Sequence, residues 1–137
     1  MRKEKKQAIF FKAIGSNSIG LGHIRRCIAL IQTLPSNLKG IFITDQEELT
    51  NDIIIQYGIE ICNTAEFFNK KDIDVKVLIY DELSEDRVFL KQVRKKFQCK
   101  IVALDYFNYN NPLVDIIVNL FKRLSKYLKS VKLALAA

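Results

Sequence analysis

Two kinds of segment alternate along this chain: apolar runs of four to seven residues, and longer stretches with apolar residues every three or four positions. Gln7–Ala13 (QAIFFKA) predicts a buried first strand closing before Gly15. Leu21 to Leu34 carries Ile24, Ile28 or Ala29, Ile31 and Leu34 at helical spacing and is stopped by Pro35. Gly40–Thr44 (GIFIT) predicts a second strand, after which Asp45 caps a helix with Glu47 and Glu48 in its first turn, where the dipole favours acids. Gly58 ends that helix, and Ile59–Cys62 and Val75–Tyr80 (VKVLIY) predict two further strands. Glu85–Phe97, with Val88, Phe89, Val93 and Phe97, predicts an amphipathic helix; Lys100–Leu104 (KIVAL) and Asp115–Val118 (DIIV) complete the strands. Nearly continuous apolar strands separated by helices predict an α/β protein with a Rossmann-like, doubly wound, mainly parallel sheet. Ligands of such sheets sit beyond the carboxyl ends of the strands, where strand order reverses. The loops to watch are therefore 14–22, 44–46, 81–84 and 105–112.

At 137 residues the chain has room for one domain, expected over residues 1–119, with a tail over 120–137. No uncharged apolar run approaches the roughly 18 residues that a spanning helix needs. The start, MRKEKK followed by AIFFKAIGS, imitates a signal peptide, but Lys12 breaks the apolar stretch and no small-residue cleavage site follows. Cys27, Cys62 and Cys99 are odd in number and form no CxxC, so they read as reduced, buried thiols of a cytoplasmic protein. The net charge of +7 invites a nucleic-acid reading until its location is considered. Residues 1–6 carry +3 and residues 122–132 carry +5, leaving the body between them near neutral. A nucleic-acid groove needs basic residues on the fold's own face beside aromatic partners, so no specific nucleic-acid binding is expected. In the tail, Leu120, Leu124, Tyr127 or Leu128, Val131 and Leu135 share one helical face with lysines opposite. Such a helix can pack on its own domain, dock on a partner or make peripheral contact with an anionic membrane.

The candidate chemistry lies in Gly15-Ser-Asn-Ser-Ile-Gly20-Leu-Gly22-His23-Ile-Arg-Arg26, which follows the first strand and opens the first helix. Gly15 and Gly20 have the spacing of a phosphate-cradling Walker loop, but Leu21-Gly22 replaces the required Lys-Ser/Thr. Gly20-x-Gly22 begins a dinucleotide fingerprint, yet Arg25 takes the third glycine's place. His23 is the sole histidine and stands at the mouth of a helix. A helix N-terminus disfavours imidazolium, which suits a general base, while a histidine bonded locally within the turn fits the position equally well.

Ile19-Gly-Leu-Gly-His23-Ile-Arg-Arg26-Cys27, followed by Ala29-Leu30 and Leu34, resembles the IGxGHxxRC…AL…L motif of the nucleotide-sugar hydrolases of pseudaminic acid biosynthesis. These are the UDP-2,4-diacetamido-2,4,6-trideoxy-β-L-altropyranose hydrolases, with spore-coat polysaccharide relatives. Asp81 after VLIY, Ile101-Val-Ala-Leu-Asp105 and Val114-Asp115-Ile-Ile-Val-Asn119 extend the likeness from about Gln7 to Asn119. The resemblance implies the N-terminal half of a two-domain GT-B fold, with the second domain absent from these residues. It implies water attack at the anomeric carbon of a UDP-sugar with release of UDP, in surface-glycan (nonulosonic acid) synthesis. His23 matches the motif histidine that activates water; Gly20, Gly22, Arg26, Asp81, Asp105 and Asn119 are the implied substrate-binding positions. No metal and no cofactor is expected, and the implied partners are the UDP-sugar and a separate chain carrying the C-terminal domain. Tyr106 stands where the family has a second aspartate, and Glu82-Leu83 replace its Asp-x-Tyr. The alternative from another class is a non-catalytic, truncated or split half that acts as an interaction module.

Overall fold

A computed structural model gives the fold, with residues 6–13, 21–45, 48–82, 85–105 and 111–119 described. Six strands form one sheet: β1 (Lys6–Ala13), β2 (Lys39–Ile43), β3 (Glu60–Cys62), β4 (Ile73–Asp81), β5 (Lys100–Leu104) and β6 (Ile116–Val118). Every neighbouring pair is parallel, in the order β3-β2-β1-β4-β5-β6. This is a Rossmann-like sheet, reversing direction of travel between β1 and β4. Among the described residues four helices lie between its strands: α1 (Gly22–Gln32), α2 (Glu48–Gln56), α3 (Thr64–Asn69) and α4 (Arg87–Lys96).

The strands are apolar on both sides because both sides are covered. Phe11, Ala13 and Phe42 pack against Ile24, Cys27 and Ile28 of α1 and Ile54 of α2. On the other face Phe10, Ile41, Leu78, Tyr80 and Ile101 meet Phe67 of α3 and Phe89, Leu90 and Val93 of α4. Phe10 and Phe67 lie 4.7 Å apart between ring centroids. Gly40 lets α1 come down on β2, since a Cβ there would stand 2.8 Å from the Ile31 side chain. The β1–β4 register skips Lys76, so that the last residues of the two strands, Ala13 and Asp81, end level.

Two local features depart from the pattern in the sequence. Asp45 does not cap α2; its carboxylate accepts from the Thr64 amide at 3.1 Å and hydroxyl at 2.5 Å, tying the end of β2 to the start of α3. The Thr64 hydroxyl bond, opposed by burial, holds the Asp45 carboxyl below its ordinary value. The short α3 has no period to read, but a capping box starts it: Asn63 Oδ1 accepts from Glu66 N, and Glu66 Oε1 from Asn63 N. α3 carries the chain from β3 to the far side of β1, the step that reverses the sheet. At α4, Asp86 caps the first turn through Phe89 N at 3.0 Å, and Arg94, Lys95 and Lys96 occupy the last turn, complementing the dipole.

Cys27, Cys62 and Cys99 are all buried and free, as expected of reduced thiols. Burial raises the Cys62 thiol to about 11. No helix among the described residues is long and apolar enough to cross a membrane. The tail, residues 120–137, lies outside the described residues.

Candidate active site

At the carboxyl edge of the sheet, the reversal point brings the ends of β1, β4 and β5 beside the first turn of α1. His23, Arg26 and Cys27 stand three and four residues apart on that helix, so they share a face. The face is directed at Asp81, the last residue of β4. Asp81 is wholly buried, at 0% exposure. A carboxylate in that position costs several kcal/mol unless donors surround it. Its Oδ1 accepts from His23 Nδ1 at 2.7 Å and Arg26 Nη2 at 2.5 Å; its Oδ2 accepts from Arg26 Nε at 2.9 Å and the Cys27 thiol at 3.8 Å.

Arg26 continues past Asp81 to the next strand end, where its Nη1 donates to Asp105 Oδ2 at 2.5 Å. Burial alone would lower its pKa, but bonds to Asp81 and Asp105, reinforced by their charges, raise it above the ordinary guanidinium value. Cys27 is pushed far above a normal thiol, first by burial and then by the charge of Asp81. It therefore acts as a weak S–H donor rather than a nucleophile. Asp105 has a φ of 47°, the one positive φ among the described non-glycine residues. Its amide donates to Val118 O at 2.8 Å, holding the end of β5 against β6.

His23 reaches solvent, with its side chain 24% exposed, as Arg26 and Asp105 also do at 25% each. A carboxylate only accepts, so the 2.7 Å contact places the ring proton on Nδ1. Nε2 then keeps its lone pair, the requirement for taking a proton from water or a hydroxyl. α1 opens without a side-chain cap at Leu21, and a Cβ on Gly22 would meet no described atom within 4 Å. Among the described residues, packing therefore does not demand glycine at position 22. On the opposite face of the sheet end, Lys12 Nζ bonds Glu82 Oε1 at 2.8 Å and lies 5.0 Å from the Phe89 ring centroid. Tyr80 donates its hydroxyl to Glu82 Oε2 at 3.2 Å and accepts from the Asp86 amide at 2.9 Å.

Known proteins add no family to this picture. Comparison of the chain with protein-family models, curated proteins and solved structures finds no match. The functional reading rests on the sequence motif and on the geometry.

Four of the residues singled out in the sequence, His23, Arg26, Asp81 and Asp105, join in one hydrogen-bonded cluster. Gly22 adjoins it as the first residue of α1, and Asn119 lies one residue beyond β6 at the same edge. Gly20 and Tyr106 lie outside the described residues. The Cys27 contact and the Lys12–Glu82 pair went unread in the sequence. The helical spacing of Cys27 from His23 was the available signal for the first. An open groove of about 550 Å³, lined by Leu34, Leu38, Tyr57 and Ile59 among others, lies at the opposite edge of the sheet, away from the cluster.

Proposed function

We propose that this chain is the base-bearing N-terminal, GT-B-type half of a UDP-sugar hydrolase, working in surface-glycan synthesis in the cytoplasm. The observation that carries the reading is the Asp81–His23 contact at the reversal point of the sheet, with Nε2 of the sole histidine left to face a ligand. The likeness of Ile19–Cys27 to the hydrolase motif supplies the substrate class. His23 Nε2 takes a proton from water as the water oxygen bonds to the anomeric carbon. The bond from that carbon to the diphosphate oxygen breaks, and UDP departs with the electron pair. UDP needs no proton to leave at neutral pH, so the imidazolium returns its proton to solvent. One displacement inverts the anomeric centre. In this reading Asp81 is a positioning residue, and the contacts to the nucleotide come from a second Rossmann-like domain outside these residues.

The test combines this chain with a separate chain carrying the C-terminal domain and a millimolar UDP-2-acetamido sugar, watching the imidazole signals of His23 and release of UDP in H₂¹⁸O. Movement of the His23 signals, with ¹⁸O appearing in the free sugar and none in UDP, is the expected result. A sugar that leaves those signals unmoved removes the reading. It would leave the interaction-module alternative, which one observation favours: Arg26 already commits Nε, Nη1 and Nη2 to carboxylates of its own fold.

A further inference from the structure

Asp105 holds an unfavourable backbone conformation and touches no part of the imidazole, yet it completes the cluster. At φ 47° a non-glycine residue crowds its Cβ against its own backbone, and aspartate tolerates this better than most. Such conformations persist where the surroundings over-determine them, and they gather at functional sites. Here the amide of Asp105 is fixed by Val118 O and its carboxylate by Arg26 Nη1. Arg26 in turn grips both oxygens of Asp81 through Nε and Nη2, a fork that defines the plane of the carboxylate as a single donor would not. Asp81 Oδ1 then has one direction left in which to receive His23 Nδ1. The chain of contacts crosses three elements, from the end of β5 through α1 to the end of β4 and back to α1.

We infer that Asp105 is a positioning residue which, acting through Arg26 and Asp81, holds His23 in the tautomer protonated at Nδ1, with Nε2 free as a base. The inference deepens the hydrolase reading and rests on it only for the use to which Nε2 is put. The groups that bear on the ring or its carboxylate among the described residues are Asp81 from β4, Arg26 and the Cys27 thiol from α1, and Asp105 from the end of β5. Arg26 Nη2 carries two protons; one goes to Asp81 at 2.5 Å and the other can reach Nδ1 only at 3.5 Å, so the much shorter 2.7 Å contact with Asp81 decides in favour of a proton on Nδ1. A histidine side chain free in water prefers the proton on Nε2, so the Nδ1–H form is a signature of the Asp81 contact and not a default.

A long-range ¹H–¹⁵N spectrum of the full chain, labelled with ¹⁵N-histidine and recorded at alkaline pH, reads this directly, because His23 is the only histidine. The wild-type chain should show a protonated Nδ1 and a bare Nε2. Asp105→Ala, which removes the carboxylate and adds to the backbone cost, should shift the ring toward the Nε2–H form. Asp105→Asn tolerates the left-handed backbone and keeps an oxygen for Arg26, and should restore the wild-type pattern. Nε2–H signals in the wild-type chain, or an unaltered Nδ1–H pattern in folded Asp105→Ala, would overturn the inference. Should circular dichroism show Asp105→Ala unfolded, Arg26→Lys decides. Lysine keeps the charge but cannot span both carboxylates, so retention of the Nδ1–H form in that variant overturns the relay equally. The measurement contains no substrate. Its failure therefore leaves the hydrolase reading to the UDP-sugar titration, and failure of that titration leaves the relay standing.

Discussion

The two edges of the sheet each carry an arginine–aspartate pair, made from the same chemistry and put to different ends. At the amino edge Arg94, in the last turn of α4, bonds Asp115 Oδ2 at 2.5 Å, Leu113 O at 3.1 Å and Cys99 O at 3.4 Å. Asp115 also accepts from the Ile101 amide at 2.8 Å and returns its own amide to Ile101 O at 2.9 Å. Every partner there is backbone or the other half of the pair, and the result is a pinned chain between β5 and β6. At the carboxyl edge Arg26 makes as many bonds, but its carboxylate Asp81 is fully buried and shared with an imidazole that reaches solvent. An ion pair that only braces a fold ends on closed partners. The Arg26 cluster instead ends on a nitrogen with a lone pair.

The comparison breaks first at His23. His23→Gln keeps a polar side chain of similar reach but cannot accept a proton as a base. Turnover of the UDP-sugar by this chain together with the chain carrying the C-terminal domain should fall by about 10²–10⁴-fold with KM little changed. Urea unfolding should move by about 1 kcal/mol, because the donor to the buried Asp81 carboxylate is replaced by a weaker one. Steady-state UDP release checks the first expectation, and undiminished turnover would make the carboxyl-edge cluster a brace like its counterpart. Asp81→Ala comes next, since it strands Arg26 and His23 beside a buried gap. A loss of about 2–3 kcal/mol in urea unfolding is expected, at the lower end for a broken buried pair because Arg26 keeps Asp105 and some solvent.

How much of this was written in the sequence depends on what each feature requires. The runs at Gly40–Thr44 and Lys100–Leu104 were legible because buried parallel strands are apolar on both faces, and observed β2 and β5 fall on them within one residue. The short α3 was missed because Phe67 and Phe68 show no period over six residues; only the Asn63…Glu66 spacing marked its start. At the site, the spacing of His23 and Arg26 and the strand-end places of Asp81 and Asp105 were readable. Their junction was not, because Arg26 reaches residues 55 and 79 positions away, which depends on β4 and β5 lying side by side after β1. The positive φ of Asp105 likewise follows from its tie to Val118, a contact between strands that no local pattern announces.

The amino edge should respond more mildly to the same treatment. Arg94→Ala removes a side chain that is 30% exposed, from partners that water can reach. About 1 kcal/mol of stability should be lost by urea unfolding, and the ¹⁵N signals of His23 should stay where they are. A shift in those signals would mean that the two edges communicate through β5, and the separation drawn between them would fail.

The smallest effect expected is one of pH. Burial opposes the charge of Asp115, but the Arg94 bond, the Ile101 amide and the nearby positive charges outweigh it and hold the carboxyl below its ordinary value. A group depressed in the folded state stabilises the protein above its unfolded pKa, near 4 for aspartate, and that contribution is lost as pH falls through the folded value. Asp115→Asn cannot make this contribution at any pH. The variant should therefore be less stable than the wild-type chain at neutral pH, by a fraction of a kcal/mol for a group this exposed, and the two should converge below about pH 4. Some acid sensitivity will remain in both, because Asp45 is depressed through Thr64. Urea midpoints recorded from neutral pH to pH 2 give the comparison. Curves that run parallel throughout would show that Asp115 holds its edge of the sheet by hydrogen bonding alone, with no help from its charge.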